Sequence, residues 1–186
     1  VVTTSALKAA RVKPLSLEMK EGLALNNGVQ FSTALAILSA IKARSLLEHA
    51  TVATALSAQV FLGTDTPFSV ELHALRPHPG AVKTASWIWN LMQNSPLRES
   101  HRQYDTDGEI QDPYSLRCAA QILGACEELI SDAEKTLEIE INSATDNPLI
   151  LQGVDGSWTN IVSGGHFHGM PIAIRLYGLL QSFGIM

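Results

Sequence analysis

Gln111-Asp112-Pro113-Tyr114-Ser115-Leu116-Arg117 opens the segment from which the fold of this chain is read. Asp112 is placed to cap a helix and Pro113 to start it, since proline gives up no hydrogen bond at the first helical position. No proline follows until Pro148, and the helix is predicted to run to about Ser143. Cys118, Ile122, Ala125, Leu129 and Ala133 form one apolar stripe, with Ala119, Leu123, Cys126 and Ile130 beside it. Glu127, Glu128, Glu134, Lys135 and Glu138 take much of the remaining surface, which predicts an amphipathic helix with a wide buried face. In its first turn Tyr114 and Arg117 share a face, with Gln111 just ahead. A cation at the positive end of a helix dipole works against stability. It suits a residue awaiting an anion such as a substrate carboxylate, which a guanidinium grips with two parallel hydrogen bonds. A capped surface helix with a solvated arginine is the competing reading of these seven residues alone.

A second long helix is predicted from about Val29 to Leu62. Phe31, Leu35, Leu38, Ile41, Leu56 and Val60 supply its apolar spacing, and Ala34, Ala36, Ala40 and Ala43 allow close neighbours. Such a helix is about 50 Å long, more than a small globule requires. Pro67 and Pro77-His78-Pro79-Gly80 punctuate the chain. Ala81 to Asn94 reads as a shorter helix and Ser95 to Gln111 as a polar loop. Beyond Asp146-Asn147-Pro148, Leu149-Ile150-Leu151 with Gly156-Ser157-Trp158 reads as a small hairpin. A Gly-rich loop from Ser163 to Gly169 leads into a last helix from about Pro171. The expected fold is mainly α: an elongated helical bundle of long central helices with a small hairpin excursion, a single domain over 1–186, completed by other subunits.

The net charge of −5, with basic residues scattered singly, argues against nucleic acid. Cys118 and Cys126 lie eight residues apart in one predicted helix, roughly 12 Å along its axis. A disulfide needs Cα atoms within about 7 Å, so both read as small buried residues in a reducing compartment. No signal peptide is visible and no apolar run approaches the ~20 residues of a membrane span, which points to a soluble cytoplasmic protein. The chain starts at Val1 and stops at Met186 within an apolar helical pattern, as a piece of something longer would.

Several stretches carry reactive side chains. Lys20 to Gly28 ends in Asn27-Gly28, a natural turn pair whose first amide could bond a carboxylate or carbonyl. Ser163-Gly164-Gly165-His166-Phe167-His168-Gly169 could offer two histidines to a metal, but no HExxH or cysteine-rich partner supports one. Phe167 on this loop suits a planar ligand, or else anchors a core. Asp105-Thr106-Asp107-Gly108-Glu109 fails as a calcium loop, because its twelfth position is Leu116, and reads as a solvated turn.

Taken in order, Lys20-Glu-Gly-Leu-Ala-Leu-Asn-Asn-Gly28, Gln111-Asp-Pro-Tyr-Ser-Leu-Arg117, Asp146-Asn-Pro-Leu149 and Ser163-Gly-Gly-His-Phe-His168 resemble the histidine/aromatic amino acid ammonia-lyase family, most closely histidine ammonia-lyase, over its central portion. The resemblance implies the fumarase/aspartase-like superfold, a homotetramer, and elimination of ammonia from an L-amino acid, with L-histidine to urocanate foremost. Phenylalanine or tyrosine ammonia-lyases, 2,3-aminomutases and a non-catalytic helical scaffold stand as alternatives. It further implies a 4-methylidene-imidazole-5-one (MIO) electrophile made from Ala-Ser-Gly, a triad this chain does not contain and which the family carries upstream of the portion matched. By resemblance Arg117 pairs with the substrate carboxylate, and Asn27 assists it or the cofactor carbonyl. Tyr114 and Gln111 position the cofactor and the reacting amine, and Phe167, with His166 beside it, meets the substrate. His166 stands where members commonly have Asn, and Met170 where histidine lyases usually have Glu.

Overall fold

The computed structural model describes residues 3–106 and 111–186. Its contacts divide the chain into two compact units, one of Val1–Val29 with Ala144–His168, the other of Gln30–Ser143 with Gly169–Met186. Helix dominates the second unit, as the sequence predicts, whereas the first holds two short helices and a hairpin.

In the first unit, α1 (Thr3–Ala9) and α2 (Glu21–Ala24) are short. Lys20 precedes α2 in left-handed geometry, φ 74°, and its Nζ lies 3.0 Å from Asp146 Oδ2, joining the two stretches of this unit. The hairpin pairs β1 (Leu149–Leu151) antiparallel with β2 (Asn160–Val162), Ile150 opposite Ile161. Its second strand thus lies later than expected. Gly156 and Ser157 belong to the connection instead, where Gly156 has φ 81° and Asp155 Oδ1 accepts from Ser157 N and Oγ.

The second unit contains the long helices. Helix α3 (Gln30–Val60) extends about 46 Å at 1.5 Å per residue. Its buried side is lined by Thr33, Ala36, Ala40, Ala43, Leu47, Thr51, Ala55 and Ala58. Phe31, Leu35, Leu38, Ile41, Leu56 and Val60, expected in the core, are each more than half exposed. Small side chains let neighbouring helix backbones approach, and they displace the large ones to the outer face. The helix stops where Leu62 turns left-handed, φ 59°, and Gly63 N donates to Ala58 O at 2.7 Å.

Helix α4 (Val70–Ala74) is capped by Ser69, and α5 (Pro79–Met92) follows. The expected polar loop is helical for much of its length. Ser95 Oγ accepts from Arg98 N and Pro96 occupies the first turn, producing α6 (Pro96–His101) and then a 3-10 turn at Arg102–Thr106. The predicted helix from Pro113 is broken once. Helix α7 (Tyr114–Arg117) is separated from α8 (Ala119–Ile141) by Cys118, with φ −101° and ψ 6°. Helix α9 (Met170–Ile185) begins with Pro171 in its first turn.

Helix α8 is the hub, packing on α5, α9 and α3. It meets α5 at Gly124 and Gly80, where a Cβ on Gly124 would stand 2.4 Å from Ala81 N. Glu127, expected on the surface, is buried at the meeting of α3, α5 and α8. Its Oε1 accepts from Lys83 Nζ, from Ser131 Oγ at 2.8 Å and from Arg44 Nη1 at 3.4 Å. Among the described residues no helix is long and apolar enough to cross a membrane.

Candidate functional site

The second unit brings Gln111, Tyr114 and Arg117 together at the start of α7. Arg117 lies over the Tyr114 ring, its guanidinium carbon 4.8 Å from the centroid, and its Nη1 donates to Gln111 Oε1. Tyr114 is 71% exposed and Arg117 half-buried. Among the described residues no carboxylate pairs with Arg117. The guanidinium is therefore oriented by a π face and a neutral amide, both displaceable by an anion.

Two attachments hold this turn. Leu116 enters the core formed by Ala55, Ala58, Phe68, Ala85, Ile88 and Met92. Asp112, expected to cap the helix, does something else: Pro113 holds the cap position, while Asp112 Oδ2 accepts from Thr64 N at 2.9 Å. The carboxylate thereby ties the turn to the chain leaving α3. Gly63 leaves little room there, since a Cβ would lie 3.0 Å from Ala58 O and 3.1 Å from Asp112 Oδ2.

Behind Thr64 lies a charge network that motif reading passed over. Arg98 is fully buried, and its Nη2 donates to Asp65 Oδ1 at 2.9 Å and to Asp105 Oδ2. Arg102 Nη2 reaches Asp65 Oδ2 at 3.0 Å and Glu99 Oε1 at 2.7 Å. Burial pushes the Asp65 carboxyl up, but Arg98 and Arg102 outweigh it and hold the group below the usual carboxylate range. The only local signal was Ser95-Pro96, a helix start just ahead of Arg98. Of the Asp105–Glu109 turn, Asp105 lies in this network, whereas Asp107, Gly108 and Glu109 fall outside the described residues.

The first unit holds Asn27, His166 and Phe167. Asn27 is exposed in the turn after α2, its N donating to Leu23 O at 2.8 Å. Phe167 is 45% exposed, so it does not serve as a core anchor. His166 is exposed on the same loop, with its imidazole near Gly164. Asn147 clamps this loop from both sides, its Oδ1 accepting from Gly164 N at 3.0 Å and its Nδ2 donating to Gly164 O. The Asn in Asp146-Asn147-Pro148 thus braces the Gly-rich loop as well as following the long helix.

A family model for aromatic amino acid lyases matches residues 1–179. The chain belongs to the aromatic amino acid lyase family. Among solved structures, this chain is similar to tyrosine aminomutase from Streptomyces globisporus, at 34% identity and a TM-score of 0.82, over 98% of this chain and 37% of that one. It is likewise similar to histidine ammonia-lyase from Trypanosoma cruzi, at 34% identity and 0.77, over 98% and 33%. Phenylalanine ammonia-lyase from Rhodosporidium toruloides aligns at 29% identity and 0.76, over 96% and 26%. The chain thus spans between a quarter and two fifths of the length of these structures. Its fold is the ammonia-lyase fold, with α3, α5, α8 and α9 as the packed helices.

Proposed function

We propose that the protein carrying this chain eliminates ammonia from an L-amino acid with a planar ring, giving the α,β-unsaturated acid. L-Histidine, yielding urocanate, is the first substrate to test. The supporting observation is Arg117: a guanidinium that closes the short α7 just ahead of α8, where one unbroken helix was expected, flanked by Tyr114 and Gln111, with no carboxylate partner among the described residues.

In this reading Arg117 exchanges the Gln111 amide for the substrate carboxylate, and the freed Gln111 turns to the reacting amine. The Tyr114 hydroxyl orients the same centre and can carry a proton. Asn27 bonds the carboxylate or the cofactor carbonyl, and Phe167 with His166 lies against the substrate ring. The donor set suits a neutral, planar, carbonyl-bearing group such as the methylidene-imidazolone: a phenol and an amide, both exposed, with no group of three or more metal-ligating side chains among the described residues. That group, when bound, supplies an electrophile that makes the amine a better leaving group. A homotetramer in the cytoplasm completes the proposal, with further subunits covering the outer face of α3.

A 2,3-aminomutase is the second reading, supported by the likeness to tyrosine aminomutase, whose 34% identity equals that to histidine ammonia-lyase. The test is to offer the purified whole protein L-histidine, L-phenylalanine and L-tyrosine, following the ultraviolet absorbance of the unsaturated acid and free ammonia together. Elimination from one of them is expected. A β-amino acid without net ammonia would establish the mutase, and no turnover with any substrate would leave a helical scaffold.

A further inference from the structure

We propose that Arg98, acting through Thr64, is a positioning residue for the Gln111–Arg117 turn; for catalysis this rests on the reading above. Three connections converge on Thr64. Its N donates to Asp112 Oδ2 at 2.9 Å, one residue after Gln111 and two before Tyr114. Its Oγ1 lies 3.3 Å from Asp105 Oδ2 and 3.5 Å from Arg98 Nη2. On the other side, His101 Nε2 meets Gly63 O at 3.1 Å, so α6 also grips the residue preceding Thr64.

Arg98 makes this arrangement a clamp. A single nitrogen, Nη2, bridges Asp65, which follows α3, and Asp105, which precedes the turn, and the side chain is wholly buried. The carboxylates flank Thr64 and cannot separate without leaving a buried guanidinium uncompensated. Asp105 and Asp112, the two acids that meet Thr64, bracket the stretch of chain entering the turn. The register of Tyr114 and Arg117 against the end of α3 is thus set by a charge bridge as well as by Leu116 in the core. A turn held only by Leu116 would be free to rock about that one apolar anchor.

The test uses the whole protein and compares the wild type with Arg98→Met and with the milder Asp105→Asn, which keeps a folded comparison should the first misfold. Hydrogen exchange by mass spectrometry is read over 111–118 and over α8. Exchange across 111–118 is expected to rise about tenfold or more while the buried amides of α8 stay protected. For the amino acid turned over, KM is expected to rise about ten- to a hundredfold, and more than kcat falls, because Arg117 no longer meets the carboxylate in place. Uniform loosening of 111–118 and α8, or a lower kcat at unchanged KM, would mean Arg98 serves only overall stability and would overturn the proposal. If the wild type eliminates ammonia from no amino acid, the functional reading fails, and hydrogen exchange still decides whether the clamp exists.

Discussion

Tyr114 presents its ring to solvent at 71% exposure and carries Arg117 on one face, so packing does not hold its hydroxyl, and the chemical role proposed for it can be tested alone. Tyr114→Phe keeps the ring and the cation–π contact. It should lower kcat about 10²- to 10⁴-fold. The thermal midpoint should stay within about 2 °C of wild type, as for a surface change. Unchanged turnover with a large drop in midpoint would instead make Tyr114 structural. Glu127 is the opposite case, a buried acid that periodicity placed on the surface. Sequence spacing locates it beside an apolar stripe, but nothing local announces that Lys83 and Arg44 arrive from other helices. Burial pushes its carboxyl up, yet Lys83, Ser131 and Arg44 together bring it below the ordinary range. Because the folded-state value lies below the unfolded one, this stabilisation is complete above pH 4.5 and is lost as pH falls through the folded value. Glu127→Gln should cost about 1–3 kcal/mol at pH 7, less than a fully buried pair, because Lys83 is 60% exposed. The difference from wild type, followed by urea unfolding, should shrink below pH 4.5. A difference independent of pH would show that the carboxylate charge contributes nothing.

At the scale of elements, helices α3, α5, α8 and α9 were legible to within a few residues, because long stretches free of proline and rich in alanine and leucine admit little else. Which side of α3 is buried was not. Periodicity weights large apolar residues, whereas this helix packs through Ala36, Ala40, Ala43, Ala55 and Ala58 and turns Phe31, Leu38 and Ile41 outward. Helix α6 was missed because it is six residues long and four of them are polar, although Ser95-Pro96 was a usable start signal. The second strand was misplaced because Gly156 and Ser157 form the connection that Asp155 organises. The close crossing of α5 and α8 yields a direct test. A methyl on Gly124 has Ala81 N at 2.4 Å and Gly80 C at 2.7 Å, both backbone atoms that no side-chain motion can clear. Gly124→Ala should therefore destabilise by about 1–3 kcal/mol despite its gain in helix propensity. Calorimetry on the whole protein should show a lowered midpoint; a raised one would mean that the helices separate at no cost.

For the whole molecule, the outward face of α3 matters most. Phe31, Leu35, Leu38 and Ile41 are 77%, 51%, 57% and 61% exposed, a run of large apolar side chains on one helix that water does not favour. If the proposed homotetramer uses this face, Ile41→Glu should leave α3 folded while giving smaller species than the wild type by light scattering, with activity lost alongside. An unchanged mass would show that this face is not a subunit contact. The family itself was legible from four ordered motifs, since turns and site residues leave fixed spacings in a sequence. The clamp of Arg98 on Asp65 and Asp105 was not, because its members are 33 and 7 residues from Arg98 and follow no local period. The most direct measurement is kcat/KM of the whole protein with Arg117→Lys. A lysine keeps the charge but loses the paired hydrogen bonds to a carboxylate, so a fall of about 10²-fold or more at an unchanged thermal midpoint is expected. Near-normal kinetics would remove Arg117 from the site and contradict the reading of the Gln111–Arg117 turn as the place where the substrate carboxylate binds.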